Sequence, residues 1–325
     1  MLGPVELWAD GKRHDLGSRK ERCVLAVLLW ENGHPVDADA LIQKVWGDDR
    51  PRKALSSLYS NVSRLRGKLQ AITGDARDWS LRHAGAYVLD VSSDEVDLRQ
   101  FRGLRDAAKA AAGSGDDDRA FVLLDQAERL WRGVPLAGVD GAWAERVRLR
   151  LDEDRYSARL ERVGVGLRLG RYADLIGEAI ELTELRPLDE NPVEYLMRAL
   201  FMSARRADAL KTYMEFRNRY ADAVGNEPSA KLRELQQQML QDDPKLASTR
   251  PVPPASVSAP RNTMPRDNPD FTGRGVELDR ISGWLDDSVA RSTVPVIVSS
   301  VPCRVRTART TPRGGISVEE WLIGW

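Results

Sequence analysis

Six basic side chains and no acidic one lie between positions 50 and 74, although the whole chain is balanced at 49 basic and 49 acidic residues. The six are Arg50, Arg52, Lys53, Arg64, Arg66 and Lys68. Lysine and arginine neutralise phosphate groups and release their counterions, so a local excess of this kind is typical of a surface that contacts a polyanion. The position of the charge, not its sum, therefore indicates the class of partner.

A helix from about Pro51 to Leu69 would carry these cations on one face. Its apolar residues fall within a narrow arc of a 3.6-residue wheel: Leu55, Leu58, Val62, Leu65 and Leu69. The opposite arc then holds polar residues: Lys53, Ser56, Ser57, Ser60 and Arg64, with Asn61 and Lys68 beside them. Short hydroxyls allow close approach to a DNA groove, arginine can donate two bonds to guanine, and asparagine can pair with adenine.

Other cations of the region suit phosphate contacts rather than base contacts: Arg52, Lys53, Arg66 and Lys68. The segments 79–81 and 87–91 can pair as a hairpin around Gly85, with Arg82 and His83 at the tip. Such a tip could reach the minor groove or the sugar-phosphate backbone. A basic helix alone is also consistent with an ordinary solvated face, and the combination with the hairpin favours DNA.

The elements that must position this helix are predicted by local signals. Val5 and Leu7 precede the turn Asp10-Gly11, which predicts a hairpin whose second strand runs to Leu16. Ser18 and Glu21 form a capping box that starts a helix, which ends near Asn32-Gly33. A second helix opens at Asp37 and stops by Gly47. Strands, three helices and a terminal hairpin predict a winged helix-turn-helix over residues 1–92.

The rest of the chain divides by composition. Helical periodicity dominates from about Val96 to Leu240, with Asn191 as the N-cap of one helix, and predicts a domain of antiparallel helix pairs, similar to tetratricopeptide packing, over 93–246. Six of the 17 prolines lie between 249 and 270, so 247–270 is predicted to be a linker. The predicted fold class is mainly α, with an N-terminal α+β winged helix followed by an all-α domain.

Several classes of protein are excluded by composition. Cys23 and Cys303 cannot form a disulfide scaffold or a cysteine zinc module, and the three histidines suggest no metal site. We find no G-x-S-x-G elbow, paired catalytic carboxylates or catalytic histidine, so we predict no enzyme, cofactor or metal. Neither a secretory signal nor a membrane segment is visible, and a cytoplasmic, nucleoid-associated protein is expected.

Four stretches of the first 91 residues resemble one known family. They are LGPVELW from Leu2, KERCVLAVLLWENGHPVDADALIQKVWGDDRP from Lys20, SNVSRLRGKL from Ser60 and GAYVLDV from Gly85. They resemble the OmpR-type winged helix of the SARP family of bacterial antibiotic-pathway regulators. The stretch from Asn191 to Leu240 is similar to the end of the bacterial transcriptional activation domain of that family. Two departures stand out: Ala204 replaces a usual glycine, and Gly67, on the exposed face of the third helix, predicts fraying near its end.

The resemblance implies a transcriptional activator of a secondary-metabolite or antibiotic gene cluster that binds direct DNA repeats near promoters and contacts RNA polymerase holoenzyme. By that resemblance Ser60, Asn61, Arg64 and Arg66, followed by Lys68, contact DNA. The loop Gly47, Asp48, Asp49, Arg50 would face the polymerase. A homodimer or a cooperative oligomer on DNA is expected, and no membrane partner. The alternative function is a protein-interaction adaptor that binds through its helical pairs without DNA.

The segment 271–325 resembles the entry to the nucleotide-binding domain of larger family members. The strand VPVIVSS would there lead into a phosphate loop, yet Gly-Lys-Ser and Gly-Lys-Thr occur nowhere in the sequence. We therefore expect no ATP binding and a truncated, disordered remnant, whose change of composition after the strand is consistent with a frame shift. The VPVIV strand is expected to have no sheet to join.

Overall fold

The computed structural model describes residues 1–31, 33–74, 86–89, 91–241, 294–298, 304–310 and 316–322. Residues 1–256 and 257–325 form two compact units. In the first unit, the strands are β1 Leu7–Ala9, β2 Lys12–His14, β3 Val36–Asp37 and β4 Ala86–Tyr87, and the first three helices are α1 Arg19–Glu31, α2 Ala38–Trp46 and α3 Ala54–Thr73. This is the predicted order of a winged helix.

The hairpin and the first two helices begin where local signals predict. β1 and β2 pair antiparallel around Asp10 and Gly11, which both have positive φ, as a type I′ turn requires. The Ser18 hydroxyl accepts a bond from the Glu21 backbone N–H at 3.3 Å, and the Glu21 carboxylate accepts one from the Ser18 N–H. Asp37 caps α2 through a 2.7 Å bond from the Ala40 N–H. These predictions are confirmed because each depends on residues within one turn.

The third helix differs from its prediction at both ends. α3 begins at Ala54, not at Pro51, and continues to Thr73, where Gly74 at φ +75° ends it. The helix continues six residues beyond Gly67, and the fraying predicted near its end stays a prediction. β4 pairs with β3, so that Tyr87 lies opposite Val36. Residues 79–81, the other predicted partner of Tyr87, lie outside the described residues.

The helical region follows a one-turn 3₁₀ helix, Ser93–Glu95. Its helices are α4 Asp97–Gly113, α5 Asp117–Arg129, α6 Ala142–Arg168, α7 Tyr172–Leu185, α8 Glu190–Met202, α9 Arg206–Val224 and α10 Ala230–Leu240. Sequential helices pack as neighbours. Asp189, not the predicted Asn191, caps α8, and its carboxylate accepts a 2.9 Å bond from the Asn191 N–H. At Gly166 a Cβ would lie 2.6 Å from the Leu175 side chain, so glycine permits the close approach of α6 and α7.

One apolar core crosses the boundary expected at residue 92. It contains buried residues from Met1 to Val165, whereas a second core contains buried residues from Tyr156 to Met239. The N-terminal segment is bound to the helical region: the Arg132 N–H donates to the Leu2 carbonyl at 2.8 Å, and the Leu2 N–H donates to Asp97 at 3.0 Å. The winged helix and the first helices of the helical region therefore share one apolar core.

Trp30 adds a second connection between these two parts. The guanidinium of Arg102 from α4 lies 5.0 Å from the Trp30 ring centroid, and that of Arg150 from α6 lies 5.8 Å from it. Such cation–π contacts contribute about 0.5–1 kcal/mol each at partly exposed sites. The last residues of α1 thus contact both α4 and α6 of the helical region.

The second unit contains a three-stranded antiparallel sheet. β5 Val294–Val298 pairs with β6 Arg304–Thr310, which pairs with β7 Ile316–Leu322. The strand predicted at VPVIV is present, but the expectation that it has no sheet to join is wrong. That 271–325 is a truncated, disordered remnant of a nucleotide-binding domain stays a prediction. β-Branched residues recur after the strand and favour extended structure, so the chain supplies its own partners.

Ala204 has φ +60°, in the left-handed region that favours glycine. A non-glycine residue there costs about 1–3 kcal/mol, and the added freedom of glycine in the unfolded chain offsets about 0.4–1 kcal/mol of the gain. We therefore expect Ala204→Gly to raise the free energy of unfolding by about 1 kcal/mol, measured by urea denaturation. The matched control is Ala107→Gly in the exposed middle of α4, which should lower it by about 1 kcal/mol. A decrease for both variants would contradict the strain at Ala204.

Candidate nucleic-acid interface

α3 is held by its apolar face and presents the opposite face to solvent. Leu58, Leu65 and Leu69 are buried against the core that α1 and α2 also line. The opposite face is exposed and includes short polar residues, a glycine and two arginines, while two more cations lie directly before the helix: Ser56, Ser60, Ser63, Arg64, Arg66 and Gly67, preceded by Arg52 and Lys53. Leu55, predicted to lie in the apolar arc, is 45% exposed, because the helix starts only one residue before it.

The serines of this surface are not equally accessible: Ser57 is half-buried, and the Ser60 hydroxyl donates a 3.0 Å bond to the Ser56 carbonyl.

The cations divide into two groups by what they contact. The first group, Arg52, Lys53 and Arg66, is exposed to solvent. The second group, Arg64 and Lys68, binds Glu21 on α1. Arg64 Nε donates to one carboxylate oxygen at 2.6 Å, and Lys68 Nζ donates to the other at 2.9 Å.

Glu21 is buried, yet two cations face its carboxylate. Burial by itself would raise the pKa of Glu21, but the hydrogen bonds and charges of Lys68 and Arg64 lower it below its ordinary value. The ionised carboxylate is therefore the form that the folded chain favours. The sequence marked Glu21 only as a capping residue, and no periodic signal could have linked it to residues 43 and 47 positions away.

Asn61 does not lie beside the exposed face as predicted, because its side chain is 6% exposed and turned to the protein. Its Nδ2 donates a 2.9 Å bond to the Ser57 carbonyl, and its Oδ1 accepts a 2.8 Å bond from Arg64 Nη2. The asparagine thus contacts the guanidinium of Arg64, and its contact with adenine stays a prediction. The wheel placed the residue near the boundary of the arc, and only the packing decided its side.

The predicted polymerase loop follows α2. Gly47 has φ +57° and ends the helix, and Asp48, Asp49 and Arg50 are exposed. Arg50 Nη2 donates to the Gln43 side chain, so the last residue of this loop is tied back to α2. Arg82 and His83, predicted at the tip of the wing, lie outside the described residues.

Metal binding, thiol chemistry and membrane insertion are three other functions on which the described residues bear. Within the described residues, no group of three or more histidine, cysteine or carboxylate side chains could hold a metal ion. Cys23 is buried in α1, and burial raises the pKa of its thiol to about 11, so the reactive thiolate is disfavoured. Among the helices described, none is both long enough and apolar enough to cross a membrane.

Comparison with known proteins agrees with this architecture. Residues 12–79 match the family model described as transcriptional regulatory protein, C terminal, and residues 96–240 match the bacterial transcriptional activator domain. The regulatory protein AfsR of Streptomyces coelicolor is 36% identical over 294 residues, which are 90% of this chain and 29% of AfsR. The regulatory protein DnrI of Streptomyces peucetius is 33% identical over 264 residues, 79% of this chain and 97% of DnrI.

A solved structure is also similar: Mycobacterium tuberculosis EmbR in complex with a low-affinity phosphopeptide. It has a TM-score of 0.71 at 32% identity and covers 75% of this chain and 64% of the EmbR chain. An OmpR-type winged helix followed by a bacterial transcriptional activator domain defines a class of transcriptional regulator. This chain belongs to the SARP family of such regulators. It spans less than a third of the length of AfsR.

The lowered pKa of Glu21 predicts how stability depends on pH. A carboxyl whose pKa is lower in the folded than in the unfolded chain stabilises the fold above the unfolded value, and this contribution is lost as pH falls through the folded value. We expect the unchanged chain to be more stable than Glu21→Gln at pH 7, and the difference to shrink below the ordinary value of 4.5. Urea denaturation of both proteins across this range measures it. A difference that stays constant at acid pH would contradict the assignment.

Proposed function

We propose that this chain is a sequence-specific DNA-binding transcriptional activator of a secondary-metabolite gene cluster. It binds direct repeats near promoters and recruits RNA polymerase holoenzyme, and its place is the cytoplasm, on the nucleoid. The observation that carries the proposal is the exposed surface formed by α3 and the residues directly before it, where Arg52, Lys53 and Arg66 accompany short serines on a winged helix. The family relation supports regulation of transcription, and the regulators AfsR and DnrI support a role in Streptomyces-type gene control.

The shape of this face fits the major groove. A B-DNA major groove admits one α-helix, and small side chains along the helix axis let its backbone approach the base edges. Ser56, Ser60 and Ser63 supply such small side chains, and the cations flank them. Arg64 is then the candidate for a guanine, and Lys53 and Arg66 are the candidates for phosphates.

Activation requires more than one contact with the promoter complex. Direct repeats one helical turn apart would place two copies on the same side of the duplex. We propose that the exposed loop from Gly47 to Arg50 then faces the polymerase, and that the helical region or adjacent winged helices provide cooperative pairing. The acidic Asp48 and Asp49 suit a basic protein surface rather than DNA, because carboxylates repel phosphates.

Binding of the full chain to DNA tests the proposal. The probe is a duplex from the region upstream of the neighbouring genes, titrated by fluorescence anisotropy at two salt concentrations, with a random duplex of equal length for comparison. We expect a selective complex that weakens with salt. Arg66→Ala should weaken binding to both duplexes by the same factor. It should also reduce the slope of log affinity against log salt by about one, because one phosphate contact is lost.

The matched control is Lys211→Ala on α9, an exposed lysine whose Nζ lies 3.6 Å from Glu215 on the same helix. This variant should leave affinity and salt slope unchanged. An equal effect of Lys211→Ala and Arg66→Ala would contradict a specific role of α3. Absence of any complex at low salt would overturn the proposal and favour the adaptor alternative, in which the helical pairs bind a protein.

A further inference from the structure

Glu21 occupies an unusual place for an acidic residue: it lies behind a surface proposed to meet a polyanion. Its side chain is 4% exposed, and its two oxygens accept bonds from Arg64 Nε, Lys68 Nζ and the Ser18 N–H. The cluster therefore holds two cations with one carboxylate, which halves the positive charge that α3 offers here. A carboxylate in this position lowers attraction to phosphates over the distance of a Debye length.

The arrangement also fixes the orientation of Arg64. Its Nε is bound to Glu21 and its Nη2 to Asn61, while Asn61 is itself held by the Ser57 carbonyl. The side chain of Arg64 is nevertheless 58% exposed. A guanidinium bound along one edge has its plane fixed, because its five N–H groups lie in a rigid fork. The end of the fork that these bonds do not use remains available to a base.

The backbone next to this cluster leaves space for it. Gly17 has φ +88°, and a Cβ built there would lie 1.9 Å from both Glu21 Oε2 and Lys68 Nζ. Any side chain at position 17 would displace the carboxylate or the ammonium group, so the loop before α1 accommodates the pair only with glycine. Lys68 is thus confined between α1 and this loop, and its ammonium group is bound to Glu21.

We infer that Glu21 is a positioning residue of the α3 surface, which orients Arg64 toward a base and withdraws Lys68 from the phosphates. The inference rests on the proposed function. The consequence is a stronger preference for the selective duplex and a weaker affinity for random DNA. A pre-oriented arginine loses less conformational freedom on binding a base, and two partly neutralised cations attract random DNA less.

Glu21→Gln tests the inference in the full chain, with the same selective and random duplexes. The amide has the shape of the carboxylate but no charge, and its single acceptor oxygen cannot hold both Arg64 and Lys68. We expect random DNA to bind more tightly and with a salt slope steeper by up to about one per released cation. We expect the preference for the selective duplex to fall by about tenfold or more, the range of one bidentate base contact.

If Glu21 had a purely structural role, the substitution would change the affinity for both duplexes by the same factor and leave the salt slope unaltered. That result would overturn the inference. Glu31→Gln is the matched control, because Glu31 lies on the same helix and pairs with Lys44 away from α3. It should change neither selectivity nor salt slope. If Glu21→Gln fails to fold, Glu21→Asp replaces it: its shorter carboxylate keeps the charge but cannot reach both cations. The Glu21→Asp variant should lose selectivity without an increase in affinity for random DNA. Unchanged selectivity would overturn the inference.

The double variant Glu21→Gln, Arg64→Ala separates orientation from general electrostatics. Without Arg64 there is no guanidinium to orient, so the double variant should have the same selectivity as Arg64→Ala alone. A lower selectivity in the double variant than in Arg64→Ala would contradict action through Arg64. If the unchanged chain shows no selective complex, the proposed function and this inference are both overturned. A selective complex with proportional losses in Glu21→Gln overturns the inference alone.

Discussion

Phe101→Ala is expected to lower the free energy of unfolding by about 3–5 kcal/mol, the cost of replacing a fully buried phenylalanine by alanine. The ring is wholly buried in α4 and meets the Trp131 ring edge to face, with centroids 5.3 Å apart. Edge-to-face pairs add about 0.5–1.5 kcal/mol beyond their area, so the cavity is accompanied by a lost specific contact.

The same variant tests whether the winged helix and the first helices unfold together. Phe101 belongs to the core that also contains Leu2, Leu28 and Leu65 of the winged helix. We therefore expect urea transitions followed by tryptophan fluorescence and by far-UV circular dichroism to shift together. Leu149→Ala on α6, where the side chain is 72% exposed, is the control and should change stability by less than about 0.5 kcal/mol. A shift confined to the helical region, with the winged helix unaffected, would show that the two do not share one core.

Arg168→Met should have an effect of similar size, about 3–5 kcal/mol, because it removes the guanidinium from a buried ion pair. Arg168 near the end of α6 binds Asp117 at the start of α5 through bonds of 2.7, 3.0 and 3.1 Å. The two side chains are 4% and 6% exposed. Methionine fills a similar volume but donates no hydrogen bond, so the carboxylate loses its counter-charge in a region shielded from water.

The double variant Arg168→Met, Asp117→Leu distinguishes lost charge balance from lost packing. Removal of both ionic groups should recover most of the stability, since apolar replacement of a whole buried pair is often neutral. Arg129→Ala serves as the surface control. Arg129 is 78% exposed, its partner Asp125 lies four residues earlier on α5, and such i,i+4 pairs contribute about 0.3–0.5 kcal/mol. Equal effects of Arg129→Ala and Arg168→Met, measured by urea denaturation, would show that burial of the pair adds nothing.

Neither variant changes a residue of α3, and their effects on DNA binding should follow stability alone. The Glu21 variants act in the opposite way, since their main expected effect is on selectivity. The comparison separates residues that maintain the fold from residues that orient the surface. It also separates the contribution of α3 from that of the helical region, for which pairing between copies is proposed.

Much of the architecture was predictable because its signals are local. The Asp10-Gly11 turn, the Ser18 and Glu21 capping box and the Asp37 cap each involve residues within one turn, and all three occur as predicted. The helices from α4 to α10 follow their apolar periodicity. Ala204 was marked as a departure from glycine, and its left-handed backbone shows why glycine suits that position.

Local signals in the sequence were enough to predict which segments are helices and strands, where most of them begin, and that the cations collect around one helix. What those cations contact depends on how the helices pack. Asn61 turned inward, Glu21 bound both Arg64 and Lys68, Tyr87 paired with Val36, and the N-terminal segment joined residues 132–137. The physical reason is chain distance: periodicity and capping depend on neighbours within a few residues, whereas these contacts join residues that are brought together only when the apolar faces pack.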